Sequence, residues 1–534
     1  MIKNRCLLPK LIRKDSQIKR SRQTIFGGLS SCPEASSHEI IAMEGLSPLA
    51  YPAIGTQERR LQYKVNTDGV PHGIFTHRDL IVAQGTRLYS LKRGGALSYL
   101  ANVSDTDKTF AAFGSYLFIF PDGLCYDVDE KRIRLLHNDT GFLSDVALGS
   151  NYLTCSAVDW EDLGFSVGDG VEISVRNYVL GSTRVFTCKI TGISMNTLFL
   201  DKTFDLTGTY DIAVKTAVPD LAYACAVGDR LMGCVGNRIY LSEAGNPFNW
   251  VSYSGLDTDP VTITTGDAGD FTACVSWQGY GVFFKKDHIY QLLGSGADDY
   301  VLSDLSAPGV APESSRSLAE VDGQLFYLAD GGVYCFDGDY PTFIGDVLPC
   351  GLSSGVGGTD GICYYLTAAD PDGISYLYAY HKNRKMWFVQ DLLKAAAMAR
   401  WEDLWFVQSA AGAIYRNARR GEVLSEDQTL ITETASVLPS RVEFGEEFGE
   451  APHGLRLHGI HLRVSGSTEG TMVVSVAYDG AKAWSTVGIV PAGTDGVVHL
   501  PVYPRRAESY RLGISMWGKW RISEITCEYE QGKQ

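Results

Sequence analysis

Four groups of acidic residues lie close enough together in the chain to suggest paired acid–base chemistry. They are Asp127 with Asp129, Asp298 with Asp299, Asp370 with Asp372, and Glu446 and Glu447 with Glu450. Hydrolysis of a glycosidic bond needs two carboxyl groups set across the scissile bond at a defined separation. Neighbours within one loop rarely span that gap. All four groups fall in or beside turns, where Asp and Glu cap backbone groups, so they read as solvated loop charge. Of the ten histidines only His458 and His461 are spaced like ligands. Three apart on a strand, they are expected on opposite faces. No metal site and no cofactor site follow.

Other signatures of chemistry are missing. There is no Walker loop, no GxSxG, no HExxH and no EF-hand loop. The glycine pairs at Phe26–Leu29 and Gly294–Ala297 lack the strand and helix that a phosphate loop requires. Tyr478–Trp484 approaches a sialidase Asp box, but it occurs once and has Ala477 in the hydroxyl position, so it is expected to be a hairpin turn. The segment Gly245–Trp250 combines an Asn-Pro turn with two large aromatics. Asn246, Pro247, Phe248 and Trp250 are assigned to a structural motif, an aromatic plug between repeats. The expectation is that the chain is not an enzyme.

The elements around these residues repeat. Seven strand–turn–strand copies begin at Asp79, Ser115, Asp229, Tyr280, Gly323, Gly361 and Asp403. In six of them a short apolar strand meets a turn and a second strand ends in Tyr. Such a copy cannot bury both of its faces alone, so copies must stack, and closing the circle removes most edges. A period of roughly 35 to 50 residues with two readable strands per copy indicates a β-propeller of about seven blades. The fold expected is therefore all-β.

Five regions follow: a basic N-terminal arm and extended lead-in (1–66), the first blades (67–149), an inserted small β-barrel domain (150–216), the remaining blades (217–428), and a C-terminal β-sandwich of jelly-roll type (429–534). The insert is marked by short alternating strands around Gly-Asp turns, the sandwich by long alternating strands from Leu455 onward. Gln390–Ala399 is the one stretch that reads as a helix.

Charge is unevenly placed. Residues 1–22 carry Lys3, Arg5, Lys10, Arg13, Lys14, Lys19, Arg20 and Arg22 against Asp15, a net +7, so the remainder holds −22 of the overall −15. An acidic body argues against a general nucleic-acid surface, while the basic arm suits an acidic neighbouring subunit or phosphate. Twelve cysteines without a CxxC pair are expected to be reduced core residues of a chain made in a cytosol. No run of 18 apolar residues marks a membrane-spanning helix, and the start lacks the apolar core of a signal peptide.

The stretch Asn237–Trp250 resembles one common in virion proteins of tailed bacteriophages, where a strand is followed by Ser and then Asn-Pro-x-Asn-Trp. The lead-in is similar to theirs at Phe26–Leu29, Met43–Ser47 and Tyr51–Arg59, although Gly45 stands where Asn is usual. Tyr503–Arg506, Tyr510–Leu512 and Gly518–Ile522 resemble their closing sandwich. Within that group the chain resembles the propeller-bearing tail nozzle or tail stabilisation proteins of short-tailed phages.

The resemblance implies a structural tail component, made in the host cytoplasm and located in the virion tail. It implies a homo-hexameric ring beneath the adaptor and portal, extending the DNA channel and meeting the tail fibres. The arm residues named above, with Phe26 and Tyr51, are then the expected subunit or adaptor contacts. A host-surface (glycan or receptor) binding tail protein and a propeller glycosidase are the alternatives.

Overall fold

In the computed structural model the described residues are 18–30, 35–58, 60–64, 68–92, 95–177, 182–402, 404–418, 431–433, 439–450 and 454–531. They form two units. One comprises 59–377 and 392–434, the other 1–58, 378–391 and 435–534. No helix in the described residues is long and apolar enough to cross a membrane.

Seven sheets arise from the repeats. Blade 1 spans Pro71–Asn102, blade 2 Thr109–Leu135, blade 3 Tyr223–Thr264, blade 4 Ala273–Ser306, blade 5 Ala319–Phe343 and blade 6 Ser353–Asp391, each of four antiparallel strands. Blade 7 takes Ala395–Trp401, Leu404–Ser409 and Ile414–Asn417, and completes itself with Arg60–Tyr63 and Ile431–Glu433. Register pairs Ile414 with Tyr63 and Asn417 with Arg60. The circle is thus closed by a strand from ahead of the first repeat, inside the stretch that sequence assigned to the lead-in.

Period-two alternation shows directly in the packing. In blade 1, Ile81 and Ala83 join Leu117 and Ile119 of blade 2, whereas Leu80 and Val82 join Phe406 and Ile414 of blade 7. In blade 2, Phe118 and Phe120 turn the other way, toward Ala224 and Leu231 of blade 3. Each strand therefore feeds two interblade cores, which is why a blade has no stable life alone. Tyr365 of blade 6 and Trp405 of blade 7 stack with centroids 4.1 Å apart.

The stretch read as a helix is not one. Met386–Asp391 and Ala395–Trp401 are strands, the second paired with Leu404–Ser409. Ala395 and Ala397 are buried on the innermost strand of blade 7. Crowding there demands small residues, since a Cβ on the neighbouring Gly357 would meet the Ser317 carbonyl at 2.2 Å and one on Gly358 the Met398 Cβ at 2.6 Å. Alanine was selected by space at the axis, and tertiary pairing overrode its helix propensity.

Between blades 2 and 3 the chain forms a closed six-stranded barrel from Leu143 to Thr216. Its core includes Trp160, Val171, Ile173, Val175, Leu198 and Val214, all fully buried.

The second unit is organised by two long strands, Leu455–Tyr478 and Ser509–Gln531, of 24 and 23 residues. Their ladder shifts register at Leu457/Gly459, Arg463/Val464 and Gly466/Gly470. Such bulges let a strand bend out of one plane. One half, Met472–Tyr478 with Ser509–Met516, continues into Ser440–Phe448, Ile40–Glu44 and Ser485–Pro491. The other, Leu455–Ser465 with Arg521–Gln531, carries Ile18–Gln23, Ile54–Gly55 and Asp495–Pro501. Phe444, Tyr510 and Leu512 of the first half and Ile525 and Cys527 of the second line one small cavity, so the two halves face each other as the layers of a sandwich. At the crossover Gly470 has φ +112°, and a Cβ there would meet the Trp517 carbonyl at 2.0 Å.

Candidate functional site: the propeller axis and the seat of the barrel

The innermost strands of the blades converge on one cavity of about 480 Å³, lined by residues such as Gly73, Phe110, Ala224, Cys274, Gly357 and Ala397. Carboxylates from several blades could meet here. The cavity is crossed instead by Arg316, delivered by the short 3-10 turn Pro312–Ser317 that precedes blade 5. Its Nη1 donates to the Ala396 carbonyl at 3.0 Å and its Nη2 to the His72 carbonyl at 2.5 Å. Asp107 stands 3.3 Å from Nη2. Burial pulls the Arg316 pKa below the ordinary guanidinium value, against the opposing pull of Asp107. Among the described lining residues Asp107 is the one carboxylate, and it also contacts His72 Nδ1 at 3.3 Å. The geometry ties the turn ahead of blade 5 to blades 7 and 1 and to the loop that leads into blade 2.

The Asn-Pro-Phe-Asn-Trp segment lies on the other side of blade 3. Phe248 and Trp250 enter the core shared by blades 2 and 3, and Trp250 Nε1 donates to the Pro247 carbonyl at 2.9 Å. The same segment holds the barrel. Asn246 Nδ2 donates to the Gly168 carbonyl at 2.8 Å, and the Gly170 amide donates to the Phe248 carbonyl at 3.1 Å. A Cβ on Gly170 would sit 2.7 Å from Asn249 Oδ1 and 3.1 Å from its Cα, so contact this close needs glycine.

Glu243 is the centre of this seat. It accepts from Lys189 Nζ of the barrel at 2.6 Å, and from Asn246 Nδ2 and Asn249 Nδ2 at 3.0 Å each. Burial alone would raise its pKa, but those three donors hold the carboxyl below the usual range. Ser252 Oγ adds a bond to Asp201 Oδ2 at 2.5 Å. Arg134 of blade 2 pairs with the buried Asp169 and lies 4.4 Å from the Phe248 ring centroid. Burial nevertheless raises the Asp169 carboxyl above its ordinary value. The spacing of Glu243, Asn246 and Asn249, three residues apart in each step, was the available sequence signal.

The candidate aspartates stand in or beside turns, whereas Glu446 and Glu447 lie within the strand Ser440–Phe448, paired with Arg511 and Tyr510, and not in the turn expected of them. Asp127 accepts from the Asp129 and Glu130 amides, Asp299 from those of Ser295 and Gly296, and Asp370 from that of Ile374. Glu446 accepts from the Gly480 amide and Ser509 Oγ, Glu447 from Ser37 Oγ, and Glu450 pairs with Lys19. Asp479 and Gly480 form the turn expected of Tyr478–Trp484, both with positive φ.

Of the expected contact residues, Lys3, Arg5, Lys10, Arg13 and Lys14 lie outside the described residues. Lys19, Arg20 and Arg22 lie on the edge strand Ile18–Gln23, where Arg20 pairs with Glu528 and Arg22 with Glu524, both at 2.8 Å. The Arg22 hydrogen bond holds the Glu524 carboxyl below its usual range. Phe26 is buried, edge-on to Phe444 at 6.3 Å, and so is a core residue. Tyr51 packs against the Arg384 guanidinium at 4.7 Å.

His458 and His461 do not point to opposite faces. The bulge at Leu457/Gly459 resets the alternation, and both reach the same side, His458 toward Glu530 at 3.3 Å and His461 toward Glu528 at 3.4 Å. Among the described residues no group of three or more His, Cys, Asp or Glu could hold a metal ion.

No protein-family model matches the chain, and no curated protein matches it. Solved structures with similar folds include BamB from Moraxella catarrhalis, at 11% identity over 77% of this chain and 100% of that one, with a TM-score of 0.33. The RRP9 WD40 repeats match at 6% identity over 70% of this chain and 99% of theirs, with a TM-score of 0.35. An exo-β-1,3-galactanase from Phanerochaete chrysosporium matches at 11% over 57% and 94%, with a TM-score of 0.21.

Proposed function

We propose that this chain is a structural subunit of a phage tail, a ring-forming nozzle or hub component that links an adaptor to fibres around a DNA channel. The observation that carries the reading is Arg316 across the propeller axis. It turns a place where several blades converge into a tie between them. A glycosidase there would need two opposed carboxyls, and the axial lining supplies Asp107 among the described residues. The propeller closed by its own leading strand and the barrel seated through Glu243 further support a rigid building block.

In this reading DNA passes through the centre of a homo-hexameric ring and never through the propeller itself. A ring needs a heterologous contact whose rotation closes, and the basic arm against an acidic body supplies opposite charge for one. Electron microscopy of the purified chain, with mass photometry on the same sample, tests the proposal. Closed six-fold rings are expected. A strict monomer at every concentration, with no place in a purified particle, would overturn it.

Host-surface recognition is the second reading, favoured by the sandwich. Tyr503 is 91% exposed there, and Trp484 lies between the Arg441 and Arg511 guanidinium groups at 6.0 and 5.5 Å. Aromatic faces flanked by cations suit anionic sugars, and a glycan array probed with the full chain would test it.

A further inference from the structure

The outermost strand of blade 2, Arg132–Leu135, is paired on one side only, with Leu124–Asp127. Antiparallel pairing leaves alternate N–H and C=O groups on its other edge without a strand partner. That strand and residues 161–167 of the barrel line a groove of about 580 Å³. Tyr116 and Phe248 lie in it, and Leu135, Leu163 and Val167 are exposed along it at 56, 39 and 61%. Asp127, Glu130, Glu161 and Asp162 line it against Arg132, while the charge of Arg134 is matched by Asp169. Three negative charges are left in excess beside an apolar surface and a free strand edge. Such a groove fits an extended segment that alternates cations with apolar side chains.

The N-terminal residues supply such a segment. Residues 1–17 hold Lys3, Arg5, Lys10, Arg13 and Lys14 against Asp15, a net +4, together with Ile2, Leu7, Leu8, Leu11 and Ile12. Ahead of Pro9, which has no N–H to donate, Lys3 and Arg5 alternate with Ile2, Asn4 and Cys6. Seventeen extended residues reach about 55 Å. Arm and groove are different patches of one subunit, so joining them between copies is a heterologous contact, the kind that builds rings.

We infer that the groove between Arg132–Leu135 and the barrel loop receives residues 1–17 of a neighbouring copy by strand addition. The inference rests on the ring reading and names the contact that would join its subunits. Cations of the arm meet Glu161 and Asp162, and its apolar side chains cover Leu135, Leu163 and Val167.

The test uses the full chain carrying a photo-crosslinking benzophenone residue at position 163. Unlabelled and ¹⁵N-labelled copies are mixed, assembled, irradiated and mapped by mass spectrometry, with mass photometry on the same sample. Crosslinks from position 163 to peptides within 1–17 are expected, about half of them between light and heavy copies as random closed assembly requires. Reversing the groove charge (Glu161→Lys with Asp162→Lys, both exposed) should cut the yield about tenfold, the effect of roughly 1.4 kcal/mol. Lys3→Glu with Arg5→Glu should do the same, and combining the two sets should restore it.

Rings without crosslinks to 1–17, or with same-isotope crosslinks alone, would overturn the inference and leave the ring standing. Absence of rings would overturn the ring reading. In that case light–heavy crosslinks in smaller assemblies would still support arm docking, and their absence would overturn it.

Discussion

Replacing Glu243 isolates the joint between barrel and propeller. The carboxylate accepts three hydrogen bonds, from Lys189, Asn246 and Asn249. Its side chain is 14% exposed and that of Lys189 is 25% exposed. Buried bonds to a charged group are worth about 1.5–3 kcal/mol each. Two discounts apply. Lys189 regains water when the pair is broken, and each asparagine amide keeps a second acceptor, the Gly168 carbonyl for Asn246 and the Ser252 carbonyl for Asn249.

Glu243→Ala should therefore weaken the seat by about 3 kcal/mol, a local opening equilibrium shifted roughly 150-fold. Hydrogen exchange reads this directly. Protection at the Gly170 and Phe248 amides should fall by about two orders of magnitude, while the blade 5 strand Gln324–Ala329 stays unchanged. Glu243→Gln should lie between, keeping an acceptor without the charge.

The pH dependence has a definite sign. Because the folded carboxyl is held below its usual range, its stabilisation is complete above the unfolded value of about 4.3 and is lost as pH falls through the lower folded value. Unchanged exchange in Glu243→Ala would refute the reasoning. So would an equal loss in blade 5, since that would mean global destabilisation and no local clamp.

Four further outcomes follow from the same geometry. Arg316→Met should lower stability in urea by about 2–3 kcal/mol, because two blade carbonyls lose a charged donor, and Arg316→Lys should recover only part of it, lacking the planar fork. Asp267, bonded by Lys285 and Tyr290 against the cost of its burial, is held at about 2. Its contribution is complete above pH of about 4 and lost toward pH 2, so Asp267→Asn should flatten that limb of an acid-denaturation curve. Leu61→Ala, in the closing strand, should cost about 3 kcal/mol and be read by a lower urea midpoint. Burial pushes the Cys125 and Cys188 thiols up to about 12, so a thiol reagent should label the exposed Cys350 in the native chain and reach those two only on unfolding.

What sequence revealed and what it hid divide along physical lines. The blades were legible because the copies share one local grammar, an alternating strand, a turn and a return strand that carries a Tyr. The closing strand Arg60–Tyr63 was hidden because its partner, Ile414–Asn417, lies some 350 residues away. Four residues of mixed polarity do not announce such a pairing. Ala395–Ala399 misled for the opposite reason, since its composition answers to crowding at the axis. His458 and His461 were assigned to opposite faces by strict alternation, which one bulge overrides. Glu243 was part of a stretch singled out for its aromatics, and although its spacing to Asn246 and Asn249 was there to be read, nothing local pointed to Lys189, 54 residues earlier. Arg316 occurs once, in no repeat, and only three-dimensional convergence gives it meaning.

The axial arginine also bears on how a nozzle made of this chain would treat DNA. A cavity of about 480 Å³ crossed by a bonded guanidinium admits no polynucleotide, so any channel must form between subunits. The chain beyond residue 22 carries −22, and whatever part of that charge faced such a channel would repel phosphate and let DNA slide without binding. The basic arm would work against this if it lay free in the lumen, where its cations would hold the phosphates they met. Seated in the acidic groove of a neighbour, the same cations join subunits and are withdrawn from DNA. A single contact would then serve assembly and passage together. The Lys3→Glu, Arg5→Glu variant should accordingly lose ring stability without slowing DNA ejection from particles that still assemble, and slower ejection from such particles would contradict the argument.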